Sequence, residues 1–167
     1  MTEPVVDFAY QLSVSRERIE KRVFQNLRNI SEELLMKDEF VGSLIVFGVF
    51  KTQVDGMRQF GGSKLEKYIN VVGAHEEEFI NMVRSGDDGA IVISDSGQIL
   101  GSGIYLTVDD PTLDIPEGAG TRHISAASFS KRDDILATFT LSEETRIVRK
   151  WKDGAVNEQF DPSDDQE

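Results

Sequence analysis

The chain has 167 residues, 30 Asp and Glu against 18 Lys and Arg for a formal charge of −12, and no cysteine. That length suits one domain with a sizeable core, and the acidity excludes a general coat for nucleic acid, whose phosphates need a basic surface. The lack of thiols excludes disulfides and thiolate metal sites and suits the cytoplasm.

Apolar periodicity predicts a helix over Ser15–Asp38, with Ser15 as its N-cap and Ile19, Val23, Leu27, Ile30 and Leu34 forming one stripe. The N-terminal stretch has no basic region leading into an apolar one, so no signal peptide is expected. After Gly42 comes Leu44–Phe50, the longest apolar run. It fits a strand buried on both faces and falls far short of the ~18 residues of a membrane span, so no membrane partner is expected.

Residues 51–73 read as irregular, and His75–Arg84 as a short helix with Phe79, Ile80 and Val83 inward. GAIVIS (89–94) and QILGSGIYLTV (98–108) read as strands joined at Asp95-Ser96-Gly97, and DDPTLDIPEG (109–118) as a loop. Ile124–Arg132 is predicted helical, Ile135–Leu141 and Thr145–Trp151 extended, and Lys152-Asp153-Gly154 a hairpin turn. The end of the chain, NEQFDPSDDQE, is acidic and poor in core residues. The expected fold is α/β: a central mixed β-sheet flanked by helices in a single globular domain. Residues 1–41 would be a helical segment packed on a body at 42–156, and 157–167 a disordered acidic tail.

Common phosphate and metal signatures are missing. Gly56-x4-Gly61-Gly62-Ser63-Lys64 nearly matches a P-loop but lacks the preceding strand and following helix. Gly101-Ser102-Gly103 lies inside a strand, which favours a bulge or a close backbone approach over a dinucleotide loop. His75-Glu76-Glu77-Glu78 has Phe79 where a zincin needs a second histidine, so its acids read as the first turn of a helix. With His123 the one remaining nitrogen ligand, any metal would be held mainly by oxygen, as Mg or Mn is.

Two other places attract chemistry. Residues 120–152 carry a net charge of +3 while the rest of the chain carries −15, which suits either a polyanionic ligand or a solvated strand face. Within this island, Gly120-Thr121-Arg122-His123 puts a cation, an imidazole and free backbone N–H groups at a helix start, an arrangement suited to phosphate. Asp88-Gly89-Ala90 puts a carboxylate beside an approachable backbone, fit for holding a metal or taking a proton, or for a plain helix-to-strand turn.

DGAIVIS (88–94), GIYL (103–106), GTRH with ISAA (120–127) and LSEET (141–145), in this order and spacing, resemble the diadenylate cyclase domain. This is the nucleotide-binding domain of the DNA-integrity-scanning protein, and the chain looks like a short stand-alone member, with residues 42–156 as the cyclase domain. The resemblance implies a cytoplasmic, metal-dependent nucleotidyltransferase that condenses two ATP into the second messenger cyclic di-AMP and two pyrophosphates. It further implies a homo-oligomer in which two active sites face each other, each holding one ATP.

Carried over residue by residue, Asp88, Arg122 and His123 would be catalytic, and Asp88 and His123 would hold a Mn or Mg ion. Gly89, Leu106, Thr121, Arg122, His123, Ser125, Ser142 and Tyr105 would bind ATP. Where the family usually has a second arginine after the histidine, this chain has Ile124, and Lys131, Arg132 or Arg146 are candidates to replace its charge. The alternatives are a catalytically silent module binding ATP or cyclic di-AMP, and a cyclase held inactive by its N-terminal helix.

Overall fold

The computed structural model describes residues 5–50, 57–59, 70–73, 75–108 and 120–164, with the side chains of 5–15 and 57–59 left aside. In chain order these form α1 (Val5–Lys37), β1 (Ser43–Gly48), β2 (Met57–Gln59), α2 (Glu76–Arg84) and β3 (Ala90–Ser94). There follow β4 (Ile99–Leu106), α3 (Thr121–Ser130), β5 (Ile135–Leu141), β6 (Val148–Lys152) and β7 (Ala155–Phe160). The near-P-loop at 56–64 and the loop at 109–118 lie outside the described residues, apart from the 57–59 backbone.

The strands make one sheet in the order β2-β4-β3-β1-β5-β6-β7. β1 and β3 are parallel and the other pairings antiparallel, so the sheet is mixed, as expected. β1 is buried at all six positions because both faces of the sheet are covered. On one face α1 and α2 pack Val23, Leu27, Phe79 and Val83 against Ile45, Phe47, Ile93 and Phe139. On the other, α3 lays Ala126 and Ala127 against Leu44, Val46, Val92 and Trp151. The small residues of α3 let it sit close, and Thr138 Oγ1 donates to the Ala126 carbonyl at 2.8 Å.

Several boundaries differ from the sequence reading. α1 begins at Val5, ten residues before Ser15, which is therefore inside the helix rather than its cap. No glycine or proline falls between Pro4 and Gly42, so nothing there stops helix propagation. The expected stripe is core: Ile19, Val23, Leu27, Ile30 and Leu34 are all buried. α2 starts after His75 with three glutamates in its first turn, the dipole-complementing role expected of them.

The supposed tail is the largest correction. Residues 157–160 complete β7, paired along β6, and Phe160 is buried beneath the Arg28 guanidinium, 4.4 Å from its ring centroid. β7 is otherwise exposed, so its hydrophobic signal is one residue deep. The hairpin before it is the one expected, with positive φ at Asp153 (52°) and Gly154 (82°), as a type I′ turn requires.

Candidate active site

The mixed topology brings the N-terminal ends of β1 and β3 to the same end of the sheet as the C-terminal ends of β4 and β5. α3 begins there too. Between them lies a cavity of about 480 Å³, lined by Leu44, Asp88, Gly89, Ile104–Leu106, Gly120–His123, Ser125 and Leu141–Glu144. Every residue singled out as a site residue from the sequence is in this wall: Asp88, Gly89, Tyr105, Leu106, Thr121, Arg122, His123, Ser125 and Ser142. Leu44, Ile104, Gly120, Leu141, Glu143 and Glu144 complete it and were not singled out as site residues. The signal of Leu44, Ile104 and Leu141 was weak because apolar strand ends look alike whether they wall a site or cap a core.

Gly89 is fixed by the fold. Its φ is +89°, and a Cβ there would lie 2.6 Å from the carbonyl carbon of Gly103 on β4. Gly103 itself has a φ of 65°, and the β3–β4 register shifts twice along this pairing. The mid-strand glycines thus mark a bulge and close approach, and they turn Asp88 out at the rim of the cavity, exposed to solvent.

α3 starts three residues earlier than periodicity suggested, so Thr121, Arg122 and His123 form its first turn. Among the described residues, no side chain caps this end, no acid lies in the first turn, and no atom lies within 4 Å of where a Cβ on Gly120 would sit. An uncapped helix start with this composition offers N–H groups and the positive dipole end to an anion. Arg122 Nη1 lies 3.6 Å from Glu143 Oε2. Ser142 accepts the Thr145 N–H at 3.2 Å and so shapes the turn after β5.

His123 is buried, edge-on to Trp151 with ring centroids 5.8 Å apart. Burial, helped by the charges of Arg149 and Arg122, pushes its pKa down to about 4. Its Nε2 lies 3.0 Å from Arg149 Nη1. A guanidinium can only donate, so Nε2 accepts and the ring proton sits on Nδ1. Neither nitrogen then offers a free lone pair, and the expectation that His123 shares a metal with Asp88 does not fit this geometry.

The cations expected to replace the missing arginine are elsewhere. Arg146 donates to the Glu39 carbonyl at 2.7 Å and lies over Phe40, Arg132 pairs with Asp134, and Lys131 packs its stem beside Gly154. None of these residues lines the cavity, and neither does Ile124.

Comparison with known proteins agrees with this picture. Residues 34–156 match the family model described as the nucleotide-binding domain of the DisA bacterial checkpoint controller, DAC, and the chain belongs to that family. It is 28% identical over 163 residues to a diadenylate cyclase of Methanocaldococcus jannaschii, covering 92% of this chain and 50% of that protein. It is 33% identical over 131 residues to a diadenylate cyclase of Haloferax volcanii, covering 75% and 46%. The chain thus spans about half the length of the curated relatives it matches.

Among solved structures, a hypothetical membrane spanning protein from Bacillus cereus superposes with a TM-score of 0.61 at 18% identity, over 82% of this chain and 61% of that one. A doubly substituted DacA from Staphylococcus aureus gives 0.58 at 22%, over 88% and 89%. These two likenesses speak to the fold. No described helix here is long and apolar enough to cross a membrane.

Proposed function

We propose that this domain is a diadenylate cyclase, condensing two ATP into cyclic di-AMP with release of two pyrophosphates. The observation that carries the reading is that one cavity, at the ends of β1, β4 and β5, is lined by both Asp88 and the first turn of α3. Membership of the DAC family and the names of the two archaeal relatives support it.

Leu106 and Tyr105 contact the base or ribose, with Ile104 and Leu44 as apolar wall. Thr121, Arg122, His123 and the uncapped N–H groups of α3 hold the triphosphate, with Ser125 and Ser142 as further contacts. The 3′-hydroxyl oxygen of one ATP attacks the α-phosphorus of the other. The new P–O bond forms as the bond to the bridging oxygen breaks, and pyrophosphate leaves with that electron pair. Asp88 draws off the hydroxyl proton, while Arg122 and the helix N-terminus stabilise charge on the departing pyrophosphate. A second round closes the ring. Two subunits face each other so that each ATP is nucleophile and electrophile in turn, which makes the attack effectively unimolecular.

The described residues contain no group of three His, Cys, Asp or Glu able to cage a metal. Asp88, a solvent-exposed carboxylate on the cavity wall, is the residue that would hold a Mn or Mg ion, with phosphate oxygens as its other ligands. Such an ion would neutralise charge on the leaving pyrophosphate. The reading of α1 as an inhibitory cover has little support, because its apolar stripe is spent in the core.

The test is incubation of purified protein with ATP and Mn or Mg, with cyclic di-AMP detected by chromatography and mass. Product from the parent, and at least ~100-fold less from Asp88→Asn, is expected. Binding of ATP without any product would overturn the cyclase in favour of a silent binding module.

A further inference from the structure

Arg149 lies on β6, outside the cavity wall, behind the imidazole that lines it. Its guanidinium is held from the far side: Nε donates to Gln159 Oε1 of β7 at 2.9 Å, and Asp161 lies close enough for its charge to oppose the effect of burial on the guanidinium pKa. The remaining arm reaches His123 Nε2 at 3.0 Å. A half-buried cation set against a buried imidazole gains nothing from charge attraction, and it lowers the histidine's basicity. What it does supply is direction. Arg149 has no lone pair to offer, so the imidazole must accept on Nε2 and carry its proton on Nδ1. Nδ1 is buried and has no hydrogen-bond partner among the described residues. Nδ1–H is thus a buried donor whose hydrogen bond the described residues leave unmade.

We propose that Arg149 is a positioning residue of this site: it holds His123 as the neutral, Nδ1-protonated imidazole, so that His123 serves bound phosphate as an N–H donor and neither ligates metal nor takes a proton. The inference rests on the cyclase reading for the identity of the phosphate but not for the state of the ring. It also assigns a task to β7, because Gln159 holds the Arg149 guanidinium in place.

The state of the ring is measured by long-range 1H–15N correlation of the imidazole nitrogens at neutral pH, with His75→Gln used to assign the two histidines. The wild-type protein should show His123 protonated on Nδ1 alone. Arg149→Lys, which keeps a donor, should retain that pattern, and Arg149→Met should lose it. In the cyclase assay Arg149→Met should lower kcat ~10- to 100-fold with KM for ATP changed less than about threefold, and Arg149→Lys should recover most of the loss.

An Nε2-protonated or doubly protonated His123 in the wild-type protein overturns the proposal, whether or not Arg149→Met folds. So does an unchanged ring pattern in a folded Arg149→Met. If no cyclic di-AMP forms at all, the cyclase reading falls, and the spectra alone decide the part played by Arg149.

Discussion

Arg122 lies across Gly42: a Cβ at Gly42 would meet its Nη1 at 2.6 Å and its Cζ at 2.9 Å. The glycine between α1 and β1 is therefore the floor on which the guanidinium rests beside Glu143. Because the two nearest atoms are the far end of a flexible side chain, and the third, Glu143 Cβ at 3.1 Å, needs to give by only a few tenths of an ångström, an added methyl would move the arginine rather than unfold the domain. Gly42→Ala should raise KM for ATP ~5- to 20-fold, within the range of one charge-assisted contact. Its melting temperature should stay within a few degrees of the parent. A large fall in melting temperature with unchanged KM would show that the glycine serves the fold instead.

Asp88 is exposed at the cavity rim and makes no contribution to the core. Asp88→Asn should keep ATP binding within a few-fold of the parent and lower kcat ~10²- to 10⁴-fold, the usual span for a general base. Isothermal titration with ATP alongside the rate assay separates the two effects.

Gly89 is the opposite case. Alanine there would take a φ of +89° and place a methyl against backbone that cannot swing aside. Gly89→Ala should destabilise the domain by ~2–4 kcal/mol, read from urea unfolding. A variant as stable as the parent would mean that β3 and β4 separate more easily than this packing implies.

The folded-state pKa of His123, about 4, lies below its ordinary value of 6.5. The unfolded chain therefore binds this proton more readily between those values, and stability rises with pH through that window. The contribution is complete above pH 6.5 and is lost progressively as pH falls toward 4. Salt-bridged Glu33 and Glu76, both held below the usual carboxylate range, add losses at lower pH. Urea unfolding at pH 7 and pH 5 should show a smaller drop for His123→Gln than for the parent; equal drops would place the titration elsewhere.

Phe160 tests the reassigned C-terminal strand. Its ring is buried against the core and under Arg28, so Phe160→Ala should cost ~3 kcal/mol. A cost below ~0.5 kcal/mol in chemical unfolding would return the segment to the status of a tail.

Much of the site was legible in the sequence because its signals are local. A carboxylate before a glycine, and a Gly-Thr-Arg-His run at a helix start, announce their chemistry within a few residues, and all nine singled-out residues meet in one cavity. The stripe of α1 and the continuous burial of β1 were legible for a similar reason, since periodicity and apolar length encode how many faces are covered.

What only the tertiary structure decided is how distant pieces lean on one another. Nothing near Arg149 in sequence says that it faces His123, 26 positions away, because a strand residue's partners are set by the sheet order and by the helix laid over it. The acidic end looked unstructured because a strand paired along one edge needs only backbone hydrogen bonds and one anchoring side chain, and composition registers neither. Gly42 likewise read as punctuation until the chain returned and placed Arg122 against it, and the close approach expected around Gly103 gained its partner, Gly89, only in the fold. The sequence by itself determined the class of fold and the chemical groups. Their mutual distances and the protonation of the one buried histidine came from long-range packing, whose energies belong to pairs of segments and to neither alone.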